Sequence, residues 1–361
     1  MNMPLHAKAF VAVPSAVRAR IVDGLPDAID AVAGAAWEGH RFLRRGWYAA
    51  AIAAYGGAAR TVLVESDEAP VLALPIVPAG PSWVHGVAVP GSYWPFRGFP
   101  MASHADDVAV GAALDTLAGA ARVLRIGPVY DDDPAVRALL AVARARGWAT
   151  LARPVAHGWR LDIAGQPSPW PRNSTLRKNR FHEKHLGAHG ALDWRFLDQR
   201  DWPNGFSLLG AVERRSWIAS RTDGSDAKFL LRGHGAFWRA AANDPVLAAM
   251  MRAALLTVDG APAAFSFDLE MGRTSYAIAN SFDPAFGKHS PGKLLYWRNL
   301  VEARGRGVAL VDWGAGDSGY KQVIGAVEGP CLRDWLLVRP GWAARAARLL
   351  SPAWRRSGQR G

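Results

Sequence analysis

Two segments near the carboxyl end of the chain decide how this sequence is interpreted: Asp283-Pro-Ala-Phe-Gly-Lys-His-Ser-Pro-Gly-Lys-Leu-Leu295 and Val311-Asp-Trp-Gly-Ala-Gly-Asp-Ser-Gly-Tyr-Lys321. The first predicts a loop that opens a helix, with Ser290 as its cap, Pro291 in its first turn and Gly292 leaving room for a ligand. Free N–H groups and the helix dipole favour a phosphate or another anion at such a helix start. The second segment predicts the end of a buried strand that runs into a polar, glycine-rich turn. Together they predict a transferase cleft.

The composition places the chain among folded proteins with anionic partners. It has 361 residues, enough for two domains, of which 50% are hydrophobic and 20% charged. The single cysteine, Cys331, excludes a disulfide framework and a multi-cysteine zinc site, and no other metal-ligand spacing is present, so no metal is predicted. The net charge of +12 favours phosphorylated cofactors, nucleic acid or an acidic membrane surface, without choosing among them.

The two ends of the chain bear on its location. The first residues contain no long apolar stretch, and no window approaches the roughly 20 apolar residues that a spanning helix needs, so we expect a cytoplasmic protein. Residues 339–361 form a basic, amphipathic tail. Such a tail either docks on its own domain or lies on the inner face of an anionic membrane.

Two parts of the chain follow the same order of elements. Val62–Ile76 and Leu255–Asp268 each predict an antiparallel hairpin. Each hairpin is followed by a loop, by a helix at about 108–121 or 291–304, and by a short strand that ends in glycine. The repetition predicts a tandem duplication of one α/β (α+β) unit with a mixed, largely antiparallel sheet.

The predicted division lies at the proline-rich segment Gly165–Pro171. We therefore expect an N-terminal domain over residues 1–165, a C-terminal catalytic domain over 166–338 and the basic tail over 339–361. A cationic helix over 173–187 opens the second domain.

The motifs of the second half carry a resemblance to a known family. Ser290-Pro-Gly-Lys-Leu-Leu295 with Asp283-Pro-Ala-Phe286 ahead of it, Asp312–Lys321 and, more weakly, Glu213-Arg-Arg-Ser-Trp217 resemble the GNAT superfamily of acyltransferases. The chain is similar to the Fem-like, two-domain branch, and to the CelD-type acetyltransferase domain of cellulose and exopolysaccharide production. This resemblance implies two tandem GNAT-like (acyl-CoA N-acyltransferase) domains. The longer glycine-rich pyrophosphate loop of typical GNAT proteins is missing, and the loop at Ser290 takes its place.

The resemblance implies acyl-CoA, such as acetyl-CoA, as co-substrate. Acyl transfer to an amine needs a held thioester, a deprotonated nucleophile and a proton donor for the leaving thiolate. The residues at the start of the helix are expected to bind the diphosphate of the cofactor. Alternatively, this turn is an ordinary helix cap without a ligand. The expected cofactor-binding residues are Ser290, Pro291, Gly292, Lys293 and Leu294.

Four residues are candidates for the chemistry. Asp312, at the end of a buried strand, is the predicted base, and its alternative role is to cap the glycine turn. Tyr320 is expected to protonate the thiolate, and Lys321 to hold a phosphate or a substrate carboxylate. His289 is a second candidate base. Each of the last three is alternatively a plain turn or loop residue.

The acceptor is expected to contact residues from three segments. Glu213 and Trp217 lie four apart on one helix face and are predicted to line the acceptor pocket, although Trp217 also suits a core position. The predicted substrate-binding set is completed by Arg177, Arg180 and Asp317. The cationic helix is alternatively a solvated face. The aromatic segment Tyr93-Trp-Pro-Phe-Arg97 is a candidate wall of the cleft between the domains.

The leading hypothesis is an enzyme, an acyl-CoA-dependent N-acyltransferase acting on an amine, such as an amino sugar or amino acid linked to envelope polysaccharide. Two alternatives stay open. One is a Fem-type transferase that takes its aminoacyl group from tRNA, and the other is a non-catalytic partner of polysaccharide synthesis.

Overall fold

A computed structural model describes residues 16–92, 96–217, 224–316 and 319–357. The strands are β1 Val17–Asp23, β2 Arg60–Ser66, β3 Ala69–Pro78, β4 Gly86–Ala88, β5 Val123–Tyr130, β6 Ala149–Asp162, β7 Leu192–Leu197, β8 Met251–Val258, β9 Ala261–Met271, β10 Thr274–Phe282, β11 Leu310–Asp312 and β12 Val327–Val338. The helices are α1 Ala28–Ala35, α2 Arg45–Tyr55, α3 Asp107–Ala120, α4 Pro134–Ala145, α5 Asn173–Leu186, α6 Gly205–Glu213, α7 Gly235–Ala241, α8 Pro245–Met250, α9 Pro291–Gly305, α10 Tyr320–Val323 and α11 Trp342–Ser357.

All twelve strands belong to one sheet, in the order β1-β2-β3-β4-β5-β12-β6-β11-β10-β9-β8-β7. Adding six to the number of each strand in the first half gives its counterpart in the second half. The two halves of the sheet are therefore equivalent. At the centre of the sheet each half is completed by the last strand of the other half, β12 beside β5 and β6 beside β11. β12 pairs with β5, and β6 pairs with β11, while β6 and β12 pair with each other at the centre.

The pairings confirm the mixed, largely antiparallel fold class and both hairpins. β2 pairs antiparallel with β3, and β8 with β9. The parallel pairs among the described strands are β4–β5 and β10–β11, at equivalent places in the two halves. Because the strand that completes each half at the centre of the sheet comes from the other half, the two repeats interlock in space. The division at residues 165 and 166 stays a prediction about the chain.

Buried apolar runs explain why the inner strands form. β3 and β9 each bury six or seven consecutive residues, as expected for strands covered on both faces. Asp106 and Asp133 accept hydrogen bonds from the first-turn N–H groups of α3 and α4 and so fix where these helices begin.

One hydrophobic cluster runs through both halves of the molecule. Trp47 of α2 makes edge-to-face contacts with Phe237 and Trp238 of α7, with ring centroids 4.7 and 5.9 Å apart. These three side chains are fully buried. The first half is therefore packed directly against the second.

The basic tail forms α11, which docks on the sheet. Ala344 is buried against Ala149, Leu151 and Val338, so one face of the helix covers the ends of β6 and β12. No helix of the described ranges is both long and apolar enough to span a bilayer.

Candidate active site

A cleft of about 700 Å³ opens where α9 begins, beside β10 and the end of β11. Its walls come from segments singled out in the sequence, among them Phe96 of the aromatic segment, and from β10, which was not singled out. They include Ser290, Gly292 and Lys293 of the helix start, Tyr276 to Asn280 of β10, Asp312 to Gly316, and Tyr296, Tyr320, Lys321 and Trp217. Its volume lies in the range of pockets that hold cofactor-sized ligands.

The start of α9 differs from the expected capped helix. Ser290 has a left-handed backbone (φ 51°) and its side chain makes no capping hydrogen bond, so the predicted cap was wrong. Its carbonyl instead accepts the N–H groups of Lys293 and Leu294, both at 3.0 Å. The N–H of Gly292 lies in the first turn, where an α-helix supplies no acceptor for it. The Lys293 side chain adds a positive charge at the same edge of the cleft.

Gly292 is required by packing. A Cβ atom there would lie 3.0 Å from Phe282 Cδ1 and 3.1 Å from Asn280 Oδ1. The helix start therefore sits directly on the end of β10, and the glycine permits that approach. Pro291 and Leu294 are buried on the core side and do not line the cleft.

β10 presents an open backbone edge to the cleft. Its parallel pairing with β11 covers only Thr274 to Tyr276 and ends at the Tyr276–Asp312 pair. On its other side β10 stays paired with β9 as far as Phe282, with a bulge between Ala277 and Ala279. The two parallel strands thus part beside the cleft, and the β11 side of residues 277–280 faces the cavity.

Asp312 closes the floor of the cleft and joins the two halves. Its side chain is 1% exposed, and Oδ2 accepts from Arg160 Nε of β6 at 2.9 Å. Oδ1 accepts from the Tyr130 hydroxyl of β5 at 2.6 Å and from the Gly314 N–H at 2.8 Å. Burial, followed by the charge of Asp312, raises the pKa of Tyr130, which keeps the phenol protonated as a donor. Both carboxylate oxygens are already occupied, which fits a residue that fixes the strand end.

Comparison with known proteins agrees with this geometry. Residues 173–322 match the family model described as the acetyltransferase (GNAT) domain. Arg160 and Tyr130 precede the matched residues, so the floor of the cleft depends on parts of the chain outside the matched segment. No curated protein matches the sequence.

Solved structures share the fold over nearly the whole chain at low identity. FemX superposes with a TM-score of 0.56 and 12% identity, covering 90% of this chain and 97% of that one. The C-terminal domain of a putative lysylphosphatidylglycerol synthetase from Agrobacterium fabrum gives 0.53 and 14%, with 93% and 97% covered. A conserved protein of unknown function from Bacteroides thetaiotaomicron gives 0.54 and 10%, with 89% and 100% covered. These similarities establish the fold.

Lys321, within the matched segment, supports the glycine-rich turn from within. It is 5% exposed, and its Nζ donates to the carbonyl oxygens of Trp313 at 3.1 Å and Ala315 at 3.0 Å, and also to that of Gly316. A buried ammonium group that is bound to several carbonyls holds the turn in shape. This geometry departs from the expected role of Lys321 in binding a phosphate or a carboxylate.

Two tyrosines of the matched segment face the cleft together. The rings of Tyr320 and Tyr296 lie 6.0 Å apart. Burial, and then the neighbouring Tyr320, raises the pKa of Tyr296, so its hydroxyl stays protonated at neutral pH. The sequence prediction named Tyr320 as the proton donor for the thiolate. Tyr296 is a second phenol on the same wall.

Glu213 lies away from the cleft, contrary to its predicted contact with the acceptor. Its fully buried carboxylate accepts the backbone N–H groups of Lys228 at 2.7 Å and Phe229 at 2.8 Å. This carboxylate therefore anchors a loop. Trp217, four residues further on, is 49% exposed and lines the cleft, so it is not a core residue.

The remaining predicted residues are not gathered at the cleft. Arg177 and Arg180 lie exposed on α5, away from the cleft lining. His289 also lies outside that lining, and its Nε2 is 2.9 Å from Nε2 of His189. Asp317 lies outside the described residues, as do Tyr93, Trp94 and Pro95 of the aromatic segment.

Sequence reasoning missed Tyr130, Arg160, Tyr276 and the open edge of β10. Arg160 and Tyr130 lie 152 and 182 residues from Asp312, so no local motif connects them. Within the described ranges, no group of three or more His, Cys, Asp and Glu residues could hold a metal ion.

Proposed function

We propose that the protein is an N-acyltransferase that binds acyl-CoA in this cleft and transfers the acyl group to an amine. The observation that supports the proposal best is the open edge of β10 next to the start of α9. Coenzyme A carries a diphosphate and a pantetheine arm with two amide groups, and the cleft offers one surface suited to each.

Each part of the cleft has a separate task in this proposal. The first-turn N–H of Gly292 and the Lys293 ammonium hold the diphosphate. Backbone N–H and C=O groups of residues 277–280 hydrogen-bond the pantetheine amides, as an added strand would. The acyl end then points to the floor formed by Tyr276 and Asp312, where the first half of the chain meets the second.

The tyrosines complete the reaction cycle in this proposal. When the amine attacks the thioester carbon, the C–S bond breaks and a thiolate leaves. Tyr320, with Tyr296 beside it, donates a proton to that sulfur. Asp312 fixes the strand end through Arg160 and Tyr130, and its role as general base stays a prediction.

Lys293 allows a test with a matched control. Lys293→Gln removes a charge at the cleft, while Lys288→Gln removes the same charge five residues earlier, at an exposed position outside the lining. Isothermal titration with CoA and acetyl-CoA should show a dissociation constant about tenfold weaker for Lys293→Gln. The control should stay within twofold. Equal effects of both variants, or no binding of CoA thioesters to the unaltered protein, would remove the donor assignment.

A second candidate donor is aminoacyl-tRNA, which the exposed cationic face of α5 favours. This face carries Arg177, Lys178, Arg180 and Lys184. Glu183 of α5 is bound to Arg298 of α9 at 2.6 Å, which places the face next to the helix that lines the cleft. This donor would be favoured by tRNA binding that weakens steeply with salt and is lost in the double variant Arg177→Gln/Arg180→Gln. The control is Arg137→Gln, at an exposed position of α4, in which tRNA binding should persist.

The acceptor chemistry follows only from the resemblance. We propose an amino sugar or amino acid of envelope polysaccharide, in line with the similarity to CelD-type domains, acted on at the cytoplasmic face of the membrane. Release of CoA thiol in the presence of glucosamine or another amine checks the reaction. Failure to bind either donor, together with tight binding to a polysaccharide synthase, would favour the non-catalytic alternative.

We also propose that α11 contacts the membrane peripherally. Its outer face exposes Trp342, Leu349 and Leu350, which are 80%, 84% and 64% exposed. Residues 339–361 contain six arginines and no acidic residue. Apolar side chains flanked by arginine suit an anionic bilayer surface. Sedimentation with phosphatidylglycerol vesicles, but not with phosphatidylcholine vesicles, is expected, and Leu349→Ser/Leu350→Ser should abolish it.

A further inference from the structure

A second recess lies beside the cleft, on the side of the first half. Its volume is about 230 Å³, and it is bounded by the end of β5, the start of α4 and the short turn that follows α1. Phe96 and Tyr276 line both cavities. Asp312 lines the cleft, while its two side-chain partners Tyr130 and Arg160 line the recess. The two cavities therefore adjoin at the Asp312 group.

The recess is acidic, in contrast to the chain as a whole. Asp132 is 50% exposed and accepts from Arg160 at 3.1 Å. Asp133 caps α4 through the Val136 N–H and pairs with His40 at 3.2 Å. Asp132 and Asp133 line the recess with one arginine, Arg160, which is also bound to Asp312 behind it, so this site favours a cation in a protein whose net charge is +12.

His40 provides an acceptor with no hydrogen-bond partner. Burial lowers the pKa of His40, but the charge and hydrogen bond of Asp133, which Nε2 faces, raise it overall. In the neutral ring, the tautomer that donates to Asp133 leaves a lone pair on Nδ1. The side chain is only 13% exposed, and Nδ1 is buried without a partner among the described residues. A buried acceptor of this kind is costly unless a ligand donates to it. Aromatic side chains, among them Trp37 and Tyr276, also line the recess, and aromatic rings suit an ammonium group.

We propose that this recess is the acceptor subsite and takes a small compound with a primary ammonium group, bound by Asp132 and His40. The inference rests on the proposed function, because the adjoining cleft then supplies the thioester. The nitrogen forms a bond to the carbonyl carbon and the C–S bond breaks. The ammonium loses two protons in all: His40 takes one and passes it to solvent, and the other restores Tyr320 after its phenol has protonated the departing sulfur.

The test uses the full-length protein and two neighbouring carboxylates. Asp132→Asn removes a charge from the recess, and Asp131→Asn removes one from the adjacent residue, which is bound to Arg333 outside the recess. With acetyl-CoA saturating, the KM for ethanolamine, glucosamine or lysine should rise about tenfold in Asp132→Asn. It should change less than twofold in Asp131→Asn, and the affinity for CoA should be unchanged in both.

His40→Gln examines the proton acceptor separately. Glutamine retains a donor for Asp133 and removes the base, so kcat should fall about a hundredfold while the affinity for CoA and the urea unfolding midpoint stay constant. Equal effects of Asp131→Asn and Asp132→Asn would overturn the proposal. Unchanged kcat and KM in both Asp132→Asn and His40→Gln would do the same.

Direct binding separates this inference from the donor assignment. Titration of the unaltered protein with ethanolamine, glucosamine and lysine, without any donor, should give binding that Asp132→Asn weakens. If CoA binds but none of these amines does, the acceptor subsite is refuted and the donor cleft stands. If the amines bind and CoA does not, the donor assignment fails and the recess stands.

Discussion

Replacing Asp312 by asparagine tests the floor of the cleft most directly. The amide keeps one oxygen for Tyr130 and Gly314, but its NH2 group faces Arg160 Nε, which is itself a donor. Removing one partner of a buried ion pair costs about 3–5 kcal/mol. Since Arg160 keeps Asp132 and is 25% exposed, we expect a smaller loss, about 2–3 kcal/mol of unfolding free energy.

The assay is urea unfolding of the unaltered and variant proteins, followed by titration with CoA. Both stability and CoA affinity should fall, because the variant loosens the strand end that borders the cleft. Asp193→Asn, at an exposed position of β7, is the control and should stay within about 0.5 kcal/mol. A variant with unchanged stability and CoA affinity but a kcat lowered more than a hundredfold would refute the anchoring role, and would instead support Asp312 as the general base.

Three further changes probe the surroundings of the cleft. Lys321→Met should lower the free energy of unfolding by about 3 kcal/mol, because the turn carbonyls lose their buried donor, and a melting temperature within one degree of the unaltered protein would contradict this. Gly292→Ala should weaken CoA binding through contact with the end of β10, whereas Gly305→Ala, with open space around its Cβ position, should leave CoA binding unchanged. Burial raises the pKa of Asp268 to about 7, partly offset by the Asn299 hydrogen bond, so its contribution to stability is complete below about pH 4 and is lost as the pH rises through 7. The unfolding free energy of Asp268→Asn, measured with urea, should therefore rise by about 2–3 kcal/mol relative to that of the unaltered protein as the pH goes from 5 to 8. A difference that stays constant with pH would show that the carboxyl is not protonated in the fold.

Local patterns in the sequence predicted the elements of this fold well. The hairpin at Asp259-Gly260, the helix that begins at Pro291 and the mixed sheet follow from turn residues and apolar runs, which act over a few positions. The duplication was visible for the same reason. The order of the central strands was not predicted, because pairing between β5 and β12 joins residues about 200 positions apart and leaves no local trace.

Two of the segments that the sequence singled out border one cleft, and several of their side chains have other partners than expected. The two segments are the start of α9 and the turn after Asp312. Both could be located in the sequence, because turn residues identify the ends of helices and strands. The roles of Glu213 and Lys321 could not be read in this way. A buried charge and an exposed ligand-binding charge look alike in sequence, and only their backbone partners distinguish them.

The exchange of β6 and β12 between the halves has a consequence for dissecting the molecule. A fragment cut at residue 165 would retain β6 without its neighbours β11 and β12, and the other fragment would retain β12 without β5 and β6. Each piece would expose a long hydrophobic margin with unsatisfied amides, and so would tend to aggregate or to reassociate with its counterpart. Co-expressing the two pieces is therefore the expected route to recovering the cleft from a divided gene.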